Sequence, residues 1–400
     1  MPAGDIALIE KAKVAGKVAA VGAHCLWERV FPGKATTVRD VPHSYNTLTP
    51  QWLTSVLCKD VPGGQVLAFK PTGGSVGTST RQGLELTLNE AALQAGIPSR
   101  VFTKCTDLFT QRMLLGLAGV IGGETTFYLK IRPHIDIEAP IGYYACYDPS
   151  SWRSMLLMED IAMTKDAKFI STGTYISRPM IEDYLANMAK WHGAFWQHPR
   201  FKTDLSHLRS PRQFLNNLIS FLSVNERAKK GVARASARIP PALEGRTDDV
   251  YIALLRSFEI NAQNAGTFLH GDPHIGQTYL TKEGRIGIGD WSNILHGQWA
   301  YDYAYGLSSA LTVADRRAWE QDLLRFYLDC LHQSGGPKLE FDGAWLSYRQ
   351  HLPYPYICWL MTLVGGSSVT PDMQPEAISL DIVERTSHAI VDLDTIKALA

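Results

Sequence analysis

His270-Gly271-Asp272-Pro273-His274-Ile275-Gly276-Gln277 and, a short way on, Gly289-Asp290-Trp291 are the stretches that decide how this chain is read. Gly, Asp and Pro form turns, so Asp272 is expected on a turn, with Gln277 one short loop later. Thr278-Tyr279-Leu280 then begins a strand, Thr281 to Gly284 reads as a hairpin turn, and Arg285 to Gly289 is a return strand that delivers Asp290 close to Asp272. Two carboxylates and an amide thereby converge without long-range folding. The trio suits phosphoryl transfer, in which one group takes a hydroxyl proton and others hold Mg2+ against a triphosphate. A surface turn beside a packed His270 explains HGDPH taken alone. A metallophosphoesterase would need further carboxylate and GNH-type segments, which the sequence lacks.

The pair HGDPHIGQ and GDW resembles the aminoglycoside phosphotransferase and choline kinase superfamily, whose catalytic loop reads HGDxxxxN and whose metal aspartate precedes a Trp. The resemblance implies a protein-kinase-like bilobal α+β fold, with a small β-sheet N-lobe and a larger, mainly helical C-lobe. It implies Asp272 as catalytic base, Asp290 as metal ligand, and ATP and Mg2+ as cofactors. Gln277 stands where the family has Asn. It keeps the amide oxygen but adds a methylene, so as a second metal ligand it must reach from a backbone set further back.

Val66 to Lys70 and Leu84 to Leu88 read as strands joined by PTGGSVGTSTRQG. In that join Gly74, Ser75, Gly77 and Thr78 would let backbone amides and hydroxyls approach phosphates, although a Gly-rich hairpin tip is common. Arg100 to Lys104 is the next strand, and Glu124, Phe127, Tyr128 and Ile131 keep helical spacing beyond it. The superfamily pairs a strand lysine with a helix glutamate. Lys104 and Glu124 match by order, Lys130 competes for the lysine role, and the segment from Glu124 to Tyr128 is similar to the ecdysteroid-kinase-like branch. Met155 to Asp160 is an apolar strand ending in acids, where the resemblance places a hinge and adenine recognition by backbone around Glu159 and Ile161. A fully buried strand explains the same residues.

Ile6 to Val30 has loosely helical spacing, and Thr49-Pro50 reads as a capped helix start with Trp52 inward. Beyond Pro179, Ile181, Tyr184, Leu185, Met188, Trp191, His192 and Phe195 share one helical face, with His192 a hydrogen-bonded core residue. Gly297 to Ala304 is similar to the family segment whose aspartate braces the catalytic loop, which implies that role for Asp302. The expected organisation is an N-terminal helical extension over 1–65, a nucleotide-binding N-lobe over 66–160, and a catalytic and substrate-binding C-lobe over 161–400.

Of 400 residues, 45% are hydrophobic and 20% charged, enough to bury cores in two lobes. The 39 basic residues balance 39 acidic ones, so no nucleic-acid or membrane partner is expected from global charge. The N-terminus lacks a basic region ahead of an apolar core, and a cytoplasmic setting is expected. Six scattered cysteines without CxxC pairs point to free thiols. The expected activity is transfer of the ATP γ-phosphoryl group to a hydroxyl of a small organic molecule. The C-terminal half is more aromatic than acidic, which favours a lipophilic alcohol over a polycationic aminoglycoside, with an aminoglycoside or other antibiotic kinase as an alternative. A catalytically weak or inactive nucleotide-binding module is the alternative, and a protein kinase is disfavoured by missing HRD and DFG forms. Oligomeric state is not readable.

Overall fold

Apolar residues between Val66 and Met158 build a five-stranded antiparallel sheet, ordered β1-β2-β3-β5-β4. The strands are β1 (Val66–Val76), β2 (Thr80–Leu88), β3 (Arg100–Cys105), β4 (Gly142–Asp148) and β5 (Arg153–Met158) in a computed structural model describing residues 3–365 and 374–400. Leu84, Leu86, Val101 and Leu157 of the sheet pack with Trp52 and Leu53 of helix α2 (Pro50–Leu57). The Thr49 hydroxyl accepts the Trp52 N–H at 3.1 Å, which caps α2 and turns the indole into that core.

Two compact units form: Met1–His134 with Pro140–Thr164, and Ile135–Ala139 with Lys165–Ala400. The first holds the sheet, α1 (Ala3–Val30), α2, α3 (Glu90–Gln94), α4 (Phe109–Ala118), α5 (Gly123–Thr126) and α6 (Ile161–Thr164). The second is mainly helical, and the chain as a whole is α+β. Its helices are α7 (Arg178–Ala194), α8 (Pro211–Phe221), α9 (Val224–Ala235), α10 (Thr247–Gln263), α11 (Ala300–Ala310), α12 (Val313–Gln333), α13 (Phe341–Gln350), α14 (Pro353–Thr362), α15 (Glu376–Asp392) and α16 (Thr395–Ala398). Short strands accompany them: β6 (Lys168–Phe169), β7 (Thr267–Leu269), β8 (Thr278–Leu280), β9 (Ile286–Ile288) and β10 (Leu295–Gly297). No helix among the described residues is long and apolar enough to cross a membrane.

The Gly-rich run departs from its expected form as a long loop. Strand pairing continues through Gly74, Ser75 and Val76, leaving only Gly77 to Ser79 as the turn. Gly74 makes this possible, because a Cβ there would lie 2.5 Å from the Arg81 carbonyl oxygen. Beyond Glu124 the expected regular helix is instead the single turn α5 followed by a π-helical turn over Phe127–Ile131. The wider turn keeps Phe127, Tyr128 and Ile131 all buried.

Helix α1 is tied to the sheet unit by charge. Arg112 of α4, fully buried, gives Nη1 and Nη2 to the two carboxylate oxygens of Glu28 at 3.0 and 2.6 Å, and Nε to the Thr106 carbonyl at 2.9 Å. Val21 closes the contact against Met113 and Trp152. Losing one partner of such a pair costs about 3–5 kcal/mol, because the other charge stays buried.

Several histidines of the helical unit are buried and neutral. His351 gives its Nδ1 proton to the Ser347 carbonyl at 2.7 Å and accepts the Asn261 amide at Nε2, 3.1 Å away. Burial pushes it down from 6.5 to about 4. The unfolded chain protonates His351 below about pH 6.5 and the folded protein does not, so stability is whole above that pH and falls as pH drops towards 4. His351 alone should remove roughly 2 kcal/mol at pH 5 relative to pH 7. Thermal melts at the two pH values check this; an acid slope that His351→Gln leaves unchanged would remove His351 as its source.

Candidate functional site

In the helical unit, β7 leads into the turn that carries Asp272, and Ile275–Gln277 forms one 3-10 turn before β8. The β8–β9 hairpin pairs Thr278 with Ile288, and the Gly289 N–H reaches the Gln277 carbonyl at 2.9 Å. Gln277 and Asp290 therefore leave neighbouring strands side by side. Asp290 has φ 48° and ψ 63°, a left-handed conformation that Asp tolerates better than most residues. The Ser292 hydroxyl donates to its Oδ1 at 2.8 Å.

His270 joins the two acidic segments. Its Nε2 proton goes to the Gly289 carbonyl at 2.8 Å, and its Nδ1 accepts the Asp272 N–H at 3.2 Å. Burial holds the imidazole below its ordinary range, so it is neutral and can play both parts. Gly271 has φ 81°, and a Cβ there would lie 2.0 Å from the Asn293 carbonyl oxygen. Only glycine lets the two segments approach this closely.

Asp302 on α11 holds the loop from below. Fully buried, it accepts the N–H groups of His270 and Gly271 at 2.6 and 3.0 Å, and His192 Nε2 at 3.2 Å. The His192 Nδ1 takes the Tyr327 hydroxyl at 2.6 Å.

Asp272 is half-buried, yet desolvation by the dense surroundings pushes its carboxyl up to about 6, against the pull of His270, Gln277 and Tyr305. The result is a carboxylate that is ionised at neutral pH but more basic than usual, the property a general base needs. The Gln277 Nε2 donates to Asp272 Oδ2 at 3.0 Å. Sequence reading missed the next contact: the Tyr305 hydroxyl bonds Asp272 and itself receives the Trp359 indole N–H at 2.8 Å. Tyr305 lies 33 residues from Asp272 and Trp359 another 54 beyond it, so no local pattern signals them. His274, buried against Trp359, puts its Nε2 3.7 Å from Asp272 Oδ2.

In the sheet unit, Lys104 of β3 gives its Nζ to Glu124 Oε1 at 3.0 Å, with both side chains largely buried. The hairpin tip is pinned by Gln111 of α4, whose Nε2 reaches the Gly77 carbonyl at 3.0 Å. Ser75 and Gly77 are exposed and Thr78 half-buried. The Glu159 N–H is spent on the Ile141 carbonyl at 2.8 Å, so that donor is not the one that could meet a base. The Glu159 carboxylate accepts the Ile141 N–H and the Thr164 hydroxyl at 3.1 and 2.6 Å. Ile161 opens α6 and is buried.

The donor set fits a hard cation in part. No group of three His, Cys, Asp or Glu side chains that could hold a metal occurs among the described residues. The Asp290 carboxylate and the Gln277 carbonyl oxygen are nevertheless the donors Mg2+ accepts, and Mg2+ ordinarily completes its shell with water and phosphate oxygens.

No family model and no curated protein matches the chain. Among solved structures it is similar to choline kinase LicA from Streptococcus pneumoniae, at 11% identity over 82% of this chain and 94% of that one, with a TM-score of 0.44. It is similar also to macrolide 2'-phosphotransferase from Brachybacterium faecium, at 12% identity over 74% and 85% with a TM-score of 0.42. A spectinomycin phosphotransferase in complex with ADP aligns at 11% identity over 85% and 97%, TM-score 0.43. These neighbours fall in the group that HGDPHIGQ and GDW resemble. None singles out the ecdysteroid-kinase-like branch, and no residue assignment rests on likenesses of this size.

Replacing Asp302 by Asn would set an amide N–H against the loop's own donors. Asp302→Asn should cost about 2–4 kcal/mol in urea unfolding and accelerate amide exchange at His270 and Gly271. Wild-type stability with wild-type exchange would show that the loop does not depend on this carboxylate.

Proposed function

We propose that the chain is an ATP-dependent phosphotransferase acting on a hydroxyl of a small organic molecule. The observation that carries the reading is that neutral His270 ties the Asp272 N–H to the Gly289 carbonyl beside Asp290, while the Gln277 amide bonds Asp272. Burial raises the Asp272 carboxyl and the nearby Asp290 charge adds to that, a cost that a fold alone has no need to bear.

In this reading Asp272 orients the acceptor hydroxyl and takes its proton as the hydroxyl oxygen forms a bond to the γ-phosphorus. The bond from that phosphorus to the bridging oxygen breaks, and ADP leaves. Asp290 and Gln277 would hold Mg2+, which when bound neutralises phosphate charge. Lys104, kept in place by Glu124, would neutralise the phosphates further. Gly74, Ser75, Gly77 and Thr78 would lie over them, and the backbone carbonyl of Glu159 with the backbone at Ile161 would meet the base. The acceptor we favour is a lipophilic alcohol, because the buried side chains packed around the Asp272 turn, Tyr301, Tyr305, Tyr354 and Trp359, are aromatic rather than acidic.

A second reading, an inactive nucleotide-binding module, is favoured by one contact. The Gln277 amide donates to Asp272 Oδ2 and so occupies the proposed base.

A screen of alcohols for ATP-dependent mass gain of one phosphate separates the two. With an acceptor found, Asp272→Asn should leave ATP affinity nearly intact and lower turnover by about 10²–10⁴; turnover within a few-fold of wild type would sink the base assignment. ATP binding without phosphorylation of any alcohol would favour the binder.

Gln277 is tested by titrating Mg2+. Gln277→Ala should raise the Mg2+ concentration needed for half-maximal activity, whereas Gln277→Asn should be tolerated or mildly harmful. Indifference to Gln277→Ala would take Gln277 out of the metal shell and leave the phosphotransferase reading standing.

A further inference from the structure

Helix α1 has two unlike faces. Val18, Val21, Cys25 and Glu28 point into the sheet unit and pack on Met113, Trp152 and Arg112. At the other face of its last two turns, Leu26, Trp27, Val30 and Phe31 are 64%, 64%, 67% and 56% exposed. Trp27 and Phe31 lie ring to ring, with centroids 4.3 Å apart. Large apolar side chains exposed singly are ordinary, but four clustered on one helix end mark a contact surface.

The chain runs from this patch directly into a cavity of about 460 Å³, lined by Gly33, Lys34, Arg39, His43, Asp148 and Arg153 among others. Its acids are already satisfied. Asp40 Oδ2 accepts the N–H groups of Thr36 and Thr37, both at 2.8 Å. Asp148 is held by Ser150, Ser151 and Arg153, and Arg153 also lies 3.6 Å from Glu28. Lys34, Arg39 and the neighbouring Arg29, all exposed, form no ion pair among the described residues. The local surplus is therefore positive and uncommitted, although the whole chain is neutral.

From this pairing we propose that the end of α1 and the loop after it dock on an anionic phospholipid surface. Leu26, Trp27, Val30 and Phe31 would enter the headgroup and acyl boundary, and Lys34 and Arg39 would meet lipid phosphate or carboxylate. Trp and Phe beside Lys and Arg is the composition of an interfacial helix. A protein partner is less well matched, because a stable interface buries about 800 Å² on each side and four side chains supply only part of that. The sequence-level expectation of no membrane partner came from net charge, which cannot register a local cluster of this kind.

The test is co-sedimentation of the full chain with vesicles of 30% phosphatidylserine in phosphatidylcholine, beside pure phosphatidylcholine vesicles. It uses no enzymatic readout, so it stands whether or not the phosphotransferase reading does. Wild type should bind the anionic vesicles at 0.1 M salt, bind the neutral ones weakly, and lose most binding at 0.5 M. Each cation contributes about fivefold near such a surface, so Lys34→Ala with Arg39→Ala should lower partitioning about 25-fold. Trp27→Glu with Phe31→Glu should lower it at least tenfold, with unchanged melting because these side chains are exposed. Absent or charge-independent binding of wild type, or variants that bind like wild type, would overturn the proposal. So would a wild-type dimer that binds no vesicles and becomes monomeric in Trp27→Glu, which would assign the patch to a second copy of the chain.

Discussion

The Asp302 carboxylate carries the geometry of the acidic cluster. It is sealed from water, and two backbone N–H groups and an imidazole N–H converge on it in place of solvent. The dependence runs both ways. Those N–H groups belong to the turn at His270 and Gly271, so satisfying the charge and shaping the turn are one event. Asp272 follows from that turn, and through His270 the Gly289 carbonyl and Asp290 follow too. A network of this kind loses most of its value when partly satisfied, so its members act together rather than as separable contacts.

The helical unit was legible where its determinants are local. Turn residues in HGDP, the eleven-residue hairpin from Thr278 to Ile288 and a Pro-started amphipathic helix at α7 each announce themselves within one window of sequence. In the sheet unit the positions of β1, β2, β3 and β5 were readable, but their ends were not. Strand pairing resumes after an irregularity at Thr72 and Gly73 and runs on through Gly74, Ser75 and Val76, because backbone hydrogen bonding with β2 outweighs the low strand preference of glycine. Helix α4 and strand β4 have mixed patterns and went unseen. The contact of Tyr305 and Trp359 with Asp272 depends on how α11 and α14 pack, which no local periodicity encodes. The departure of Gln277 from Asn was visible at once, but its donation to Asp272 was not, because that depends on the rotamer.

Asp290 shows how conformation and chemistry divide at one position. Its left-handed backbone restricts the residue to a short list, Gly, Asn and Asp above all. Among these, Asp alone brings a negative charge, so the turn narrows the choice without by itself selecting Asp. At Gly271 the restriction is purely steric, set by the Asn293 carbonyl.

The bond between Arg112 and Glu28 also has a consequence during synthesis. The two residues are 84 positions apart, so α1 leaves the ribosome long before its partner exists. At about 5–20 residues per second the helix waits roughly 4 to 17 seconds with both its faces uncovered. Over that interval Val18, Val21 and Cys25 are as available as Trp27 and Phe31, and a nascent-chain chaperone would meet apolar side chains on both faces of the helix's C-terminal half. Docking on α4 then hides one face and leaves the other, so the completed protein exposes only half of what the growing chain did.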